Sequence, residues 1–134
     1  MLFEMAGVVV RGKRVGRRIG TPTANLPYPE GMDTPPDGIY VAQAVLPGQG
    51  GRVVQGVLSQ GKHPTLPEGV PAVEVFLFDF DECLYDQLMT VQYLKFLRPE
   101  IKFATVDLMR EQIARDVQDA KDYFAMRAPI SPPE

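Results

Sequence analysis

The segment Gly12–Asn25, GKRVGRRIGTPTAN, concentrates the residue types that handle phosphate. Gly12, Gly16 and Gly20 let the backbone bend and approach a ligand closely. Lys13, Arg14, Arg17 and Arg18 can offset phosphate charge. Just beyond, Thr23 and Asn25 are two residues apart, so in an extended chain they point to the same side. A hydroxyl and an amide carbonyl are hard oxygen donors of the kind that Mg²⁺ takes together with waters and phosphate oxygens. Pro22 stiffens the entry to the pair. The loop matches neither G-x-x-x-x-G-K-[ST] nor G-x-G-x-x-G. A solvated basic turn, with Thr23 or Asn25 as a local cap, accounts for the same residues.

A second chemical candidate lies in AVEVFLFDF, residues Ala72–Phe80. If this run is a strand, Ala72, Glu74, Phe76, Phe78 and Phe80 share one face. Phenylalanines dominate that face, which makes it the expected buried one. A carboxylate there is costly unless it has partners or a task, and a desolvated carboxylate is the stronger general base. Two plainer readings stay open: a barrel-end glutamate bonded to backbone amides or an arginine, or an exposed Glu74 with the core on the other face. Asp79, Asp81, Glu82 and Asp86 fit no EF-hand spacing and read as a solvated acidic turn. His63 is the only histidine, which excludes a catalytic triad or a histidine metal cluster. Cys83 is the only cysteine, so no internal disulfide forms, in keeping with a reducing compartment.

These groups need a scaffold, and the chain is long enough to supply one. Its 134 residues amount to one domain, and 45% apolar composition is ordinary for a soluble globular protein. No apolar run is long enough to cross a bilayer, and MLFEMAG lacks the basic and apolar regions of a signal peptide. A cytoplasmic protein without membrane partners is expected. The net charge of −3 argues against a general nucleic-acid binder. Between Met5 and Pro29 there is no acidic residue, and five of the fourteen basic residues fall within Arg11–Arg18. A local basic patch on an acidic chain suits a small polyanion such as a nucleotide.

The 12 glycines and 13 prolines punctuate short apolar runs, as in a β-rich barrel or sandwich. The expected strands are Gly7–Arg11, Gly38–Leu46, Arg52–Ser59, Ala72–Phe80 and Gln87–Leu97. PGQGG joins the second and third as a hairpin, and DECLYD turns between the last two. The prolines of Pro27–Asp37 and Pro64–Pro71 mark irregular connections. After Arg98-Pro99 the period becomes helical. Met109, Ile113, Val117, Ala120 and Phe124 line one face, Thr105 is the expected N-cap, and Asp107 suits the first turn. The helix should end near Ala125, its single apolar stripe capping an open end of the barrel. One domain over residues 1–128 and a disordered tail over 129–134 follow.

Read in order, the motifs resemble one family. Gly7-x-Val9-Val10-Arg11-Gly12 and Gly16-Arg17-x-x-Gly20-x-Pro22-Thr23-Ala24-Asn25 are similar to the signature of riboflavin kinases, a family that also forms the C-terminal half of bacterial bifunctional FAD synthetases. The agreement continues through Gly38-Ile39-Tyr40, Gly56-Val57, Gly61-x-x-Pro64-Thr65, Val73-Glu74-Val75, Leu77-x-Asp79-Phe80, Leu84-Tyr85, Phe96-Leu97-Arg98-Pro99-Glu100 and Lys102-Phe103. In the terminal helix it takes in Leu108, Gln112-Ile113, Asp116 and Ala120. It spans roughly residues 7–124.

The resemblance implies a mainly β protein, a six-stranded antiparallel Greek-key barrel with a C-terminal helix. It implies transfer of the γ-phosphate of Mg-ATP to the 5′-hydroxyl of riboflavin, giving FMN, by a monomeric enzyme. Thr23 and Asn25 correspond to the Mg²⁺ and nucleotide-phosphate pair, and Glu74 to the base. Gly12, Lys13, Gly16, Arg17, Gly20 and Pro22 fall in the flap over ATP. Arg98, Phe103 and Tyr85 correspond to the flavin side. With one histidine, no H-x-G-H nucleotidyltransferase element exists, so the reaction is expected to stop at FMN. Several positions depart from the bacterial pattern: Thr21; Leu58, Ser59, Gln60 and His63 where Gly-Val-Ala-Asn-Ile-Gly-x-Arg-Pro-Thr is frequent; Phe76 for a common histidine; and Asp86 for a common glycine. The resemblance puts these departures near the substrate sites, where they bear on rate, affinity or flavin preference, and they leave room for a non-catalytic barrel that binds flavin or nucleotide as a sensor or assembly module, and for a kinase acting on another small alcohol.

Overall fold

A computed structural model of the chain describes residues 1–10, 24–29, 33–61, 72–80 and 84–127. The six strands are β1 (Phe3–Val8), β2 (Ala24–Pro27), β3 (Gly38–Leu46), β4 (Arg52–Gly61), β5 (Ala72–Leu77) and β6 (Leu88–Arg98), followed by a helix, α1 (Val106–Arg127). All pairings are antiparallel, in the order β1-β6-β3-β4-β5-β2. Strands β3, β4 and β5 follow one another, and β6 returns to lie beside β3. That is the Greek-key order. The sheet curls until its edges meet, where the Val10 amide donates to the Asn25 carbonyl at 2.9 Å. Around the ring, the pairing leaves β6 near Leu88 and re-enters it at Arg98, the stagger that tilts strands in a small barrel.

Strand β3 shows how sequence becomes wall. Its first half, GIYVA, is apolar without alternation because both faces are covered: Tyr40 and Ala42 point into the barrel, and Ile39 and Val41 point outward beneath α1. From Gln43 onward alternation appears, because that stretch of outer wall meets solvent. Small Ala42 and Ala44 beside large Tyr40, Leu46, Leu58, Met89 and Tyr93 fill the narrow interior. After a short 3-10 turn at Pro47–Gln49, Gly50 and Gly51 take φ of 70° and 81°, which a five-residue hairpin loop requires and side chains resist. Asp86 also has a left-handed φ of 69°, a conformation that aspartate tolerates better than most residues.

Several expectations need correction. The first strand begins earlier, at Phe3, because Val9 and Val10 are where the chain leaves β6 and crosses to β2. Strand β2 carried no periodic signal, being only four residues long. Strand β5 ends at Leu77, short of Phe80. Its phenylalanines do not share one environment: Phe76 and Phe78 pack beneath α1, whereas Phe80 packs against the interior cluster. The helix does not cap an open end. Its expected stripe of Met109, Ile113, Val117, Ala120 and Phe124 lies on the outer wall against Ile39, Val41, Val57 and Phe76. The Thr105 hydroxyl does cap it, accepting from the Leu108 amide at 3.1 Å. The tail 129–134 lies outside the described residues.

The barrel end is closed instead by a polar plug. The Tyr93 hydroxyl donates to Gln60 Oε1 at 2.7 Å, and Gln60 Nε2 donates to the Pro35 carbonyl at 3.0 Å and to Asp37 Oδ1 at 3.1 Å. Tyr28 donates to the same Asp37 oxygen at 2.6 Å, and Tyr40 donates to the Pro36 carbonyl. Gln60, Tyr40 and Tyr93 have no solvent exposure, so this network fastens the proline-rich connection before β3 over the interior. Burial, followed by the charges around it, drives the Tyr93 phenol well above the usual tyrosine range, and burial does the same more mildly at Tyr40.

Arg98 ties the far end of β6 to α1. Its Nε and Nη2 grip the Asp116 carboxylate at 3.0 and 2.7 Å, Gln112 Nε2 donates to the same carboxylate at 3.1 Å, and the guanidinium lies 5.8 Å from the Phe103 ring centre. The Asp116 side chain is 3% exposed. Removing one member of such a pair strands the other charge, so Asp116→Ala should lower stability by about 3 kcal/mol in urea titrations. The native state holds the Tyr93 proton that the unfolded chain releases above about pH 10. Its stabilising contribution is therefore complete below that pH and is lost as pH climbs toward the folded value. The urea midpoint should fall above pH 10, and more shallowly in Tyr93→Phe.

Candidate active site

Strand register builds the site. Asn25 on β2 pairs with Glu74 on β5, and Glu74 pairs with Ser59 on β4. Directly paired residues share a face, so three polar side chains lie in one row across three adjacent strands, spanning about 10 Å at the usual strand spacing. The row is on the outer wall: Ala24, Leu26, Val73, Val75 and Leu58, the flanking residues of alternate parity, all line the barrel interior. It borders the patch under α1, since the next pair along the same face is Val57–Phe76. On the β3 side the row ends at Ile39, which pairs with Ser59 and then with Arg98.

These are polar groups with little water. Glu74 is 1% exposed, Asn25 7% and Ser59 8%. The exposed reading of Glu74 is thereby excluded. The backbone of Asn25 holds the barrel seam through Val10, yet its carboxamide makes no hydrogen bond to any described residue, and neither does the Ser59 hydroxyl. Buried amides and hydroxyls without partners are expensive. A row of two such groups flanking a buried carboxylate suits a ligand that brings its own donors, acceptors or cation. The Asn25 carboxamide oxygen is of the hard kind that Mg²⁺ accepts, and such an ion asks for only one or two protein oxygens when phosphates supply more. The residues present therefore fit a divalent ion bound with a nucleotide.

The other sequence candidates divide. Gly12, Lys13, Gly16, Arg17, Gly20, Pro22 and Thr23 lie outside the described residues, as do His63 and Cys83. Arg98 stands two strands beyond Ser59 in the same ring of pairings, but most of its guanidinium is turned inward to Asp116. Phe103 is partly buried against the helix-side cluster. Tyr85 sits before the opposite end of β6 and packs on the interior cluster, so it is not on one wall with Arg98 and Phe103. Of the acidic cluster, Asp81 and Glu82 lie outside the described residues; among the described residues no group of three His, Cys, Asp or Glu side chains could hold a metal. The departures from the family pattern also sort by location. Leu58 and Gln60 face the interior and Phe76 lies under α1, whereas Ser59 joins the row. In sequence Ser59 stands out only as a departure from the family pattern near the substrate sites; the register of β4 on β5 sets it beside Glu74.

Known proteins resemble this chain in sequence and in fold. The family model for riboflavin kinase (flavokinase) matches residues 1–124. The bifunctional riboflavin kinase/FMN adenylyltransferases of Haemophilus influenzae and Bacillus subtilis are 36% and 37% identical, over 91% and 92% of this chain and 39% of each relative. The chain thus spans about two fifths of the length of the curated relatives it matches. A crystal structure of a macrolide-efflux protein from Streptococcus pneumoniae superposes with a TM-score of 0.70 at 33% identity, covering 84% of this chain and 36% of that one. The riboflavin kinase of Trypanosoma brucei shares the fold, with a TM-score of 0.58 at 19% identity over 98% of this chain and 90% of that one. Among the described residues no helix is long and apolar enough to cross a membrane. With a Greek-key barrel, a buried Asn–Glu pair on its outer wall and a family match over nearly its full length, this chain belongs to the riboflavin kinase family.

Proposed function

We propose that this chain transfers the γ-phosphate of ATP to the 5′-hydroxyl of riboflavin, producing FMN. The observation that carries the reading is the direct cross-strand pairing of Asn25 with Glu74, both buried and on one face. Phosphoryl transfer asks for charge neutralisation at the phosphates and alignment of attacking and leaving oxygens, with little covalent assistance. The pair divides these tasks. Asn25, with Thr23 just upstream, holds the metal–phosphate end. Glu74, one strand away, accepts the proton of the attacking hydroxyl. As that proton leaves, the 5′-oxygen bonds to the γ-phosphorus and the bond from phosphorus to the departing ADP oxygen breaks. A bound divalent ion, Mg²⁺ in this reading, supplies charge stabilisation to the phosphates. The basic side chains of Arg11–Arg18 add further positive charge for the phosphates in this reading.

The flavin ring needs an apolar slot. Phe103, partly buried against the helix-side cluster, supplies apolar surface for it on the β3 side. Arg98 then serves as the anchor of the 99–105 segment through Asp116, with its Phe103 stacking contact, and Tyr85 is left out of that wall. The protein works as a monomer in this reading.

Incubation with riboflavin and Mg-ATP, followed by chromatography of FMN, tests the assignment. Glu74→Gln should lower kcat by about 10²- to 10⁴-fold while riboflavin and nucleotide binding stay within a few-fold of wild type. A wild-type kcat in that variant would refute the role. Asn25→Ala should weaken apparent Mg²⁺ and ATP affinity by at least about tenfold. An unchanged dependence of the rate on both would remove Asn25 from the phosphate end. Flavin binding without any turnover by the wild type would make the barrel a binding module.

A further inference from the structure

The polar row has three members, and the proposed chemistry uses two. Ser59 is the third. It is 8% exposed, on the same face as Glu74 and directly paired with it, and its hydroxyl has no hydrogen-bond partner among the described residues. It lies on the side of Glu74 away from Asn25. The order across the wall is therefore carboxamide, carboxylate, hydroxyl.

In-line phosphoryl transfer fixes what can lie at each end of such a row. The attacking and leaving oxygens stand on opposite sides of phosphorus. If the nucleotide phosphates are held at Asn25 and the base is Glu74, the acceptor alcohol reaches Glu74 from the other side, which is where Ser59 stands. An acceptor entering there carries its remaining carbon chain across β4. Beyond Ser59 the same face passes to Ile39 under α1, and Phe103 lies partly buried against that cluster, so a polar chain followed by an apolar body matches a polar row bordered by apolar side chains.

We propose that Ser59 is a substrate-binding residue that hydrogen-bonds a hydroxyl of the acceptor's polyol (ribityl) chain, next to the hydroxyl that is phosphorylated. The inference rests on the kinase reading above and assigns the acceptor half of its site. The Asn25–Glu74–Ser59 row then acts as a ruler for the acceptor. A flavin lacking the polyol chain has nothing to offer Ser59, and a chain hydroxyl missing from the acceptor leaves a buried serine without its partner.

The test uses the full chain in the presence of Mg-ADP. Binding of riboflavin and of lumiflavin, which has the same ring system without the ribityl chain, is followed by flavin fluorescence, and Mg-ADP affinity is measured by calorimetry. Ser59→Ala should weaken riboflavin binding by about 5- to 10-fold, as expected for one lost hydrogen bond. Lumiflavin and Mg-ADP affinities should be unchanged. Ser59→Thr, which keeps the hydroxyl, should stay near wild type. Ser59→Cys, close in size but a poor hydrogen-bonder, should resemble Ser59→Ala and carries the test if the alanine variant does not fold. Equal riboflavin affinity in wild type, Ser59→Ala and Ser59→Cys overturns the assignment. So does a loss of the same size for lumiflavin or Mg-ADP, which would mean a general distortion of the wall. A wild-type protein that binds riboflavin with the expected Ser59 dependence but forms no FMN overturns the kinase reading and leaves the Ser59 contact standing.

Discussion

Two pairings of one residue hold this molecule together at its working point. The backbone of Asn25 accepts a hydrogen bond from Val10 and so closes the barrel seam, while the same residue sits opposite Glu74 on β5. Because side chains alternate with a period of two, a slip of one residue in β2 would turn the Asn25 side chain into the apolar interior and Leu26 out of it. Ala24 and Leu26, both packed inside, hold the register from the other face. The hydrophobic filling of the barrel thus fixes where a buried carboxamide and a buried carboxylate meet on its outside.

The outer wall has two regimes. Under α1 it is apolar, with Ile39, Val41, Val57 and Phe76 meeting the helix stripe. Beside that patch it is polar and still largely shielded, which is the setting in which fixed dipoles and a carboxylate act most strongly on a reacting phosphate. The helix therefore does more than bury its stripe: it walls one border of the polar row. Its own position is held by the Arg98–Asp116 pair, which links it to the end of β6 in the same ring of strand pairings. At the barrel end, the Tyr93–Gln60–Asp37 network closes the interior with hydrogen-bonded side chains and a proline-rich connection. That arrangement leaves the helix free to serve the wall.

Much of this was legible in the chain. The hairpin of β3 and β4 followed from β-branched runs about a glycine-rich turn, and α1 from a strict apolar stripe after a threonine cap; both are local patterns whose physics is complete within about twenty residues. The roles proposed for Thr23, Asn25 and Glu74 rest on residue type and family motif. What the chain by itself could not express was partnership across strands. Asn25 and Glu74 are far apart in sequence, and only the register of β2 on β5 makes them neighbours. Ser59 showed in sequence only as a departure from the family pattern near the substrate sites, and its place beside a buried carboxylate needed the register of β4 on β5.

The same reasoning separates the errors. Strand β2 is too short for periodicity to register, and it exists because both its edges find partners. The phenylalanines of β5 looked like one core face, yet a strand covered on both sides has two apolar faces, and composition cannot say which of them a helix will cover. The position of α1 was likewise undetermined: an amphipathic stripe demands an apolar surface but does not name it. Sequence determined the hairpin, the helix and the family, because those depend on local pattern. Tertiary structure decided which wall holds the buried polar row and in what order its three groups stand, because those depend on how the strands align around a closed ring.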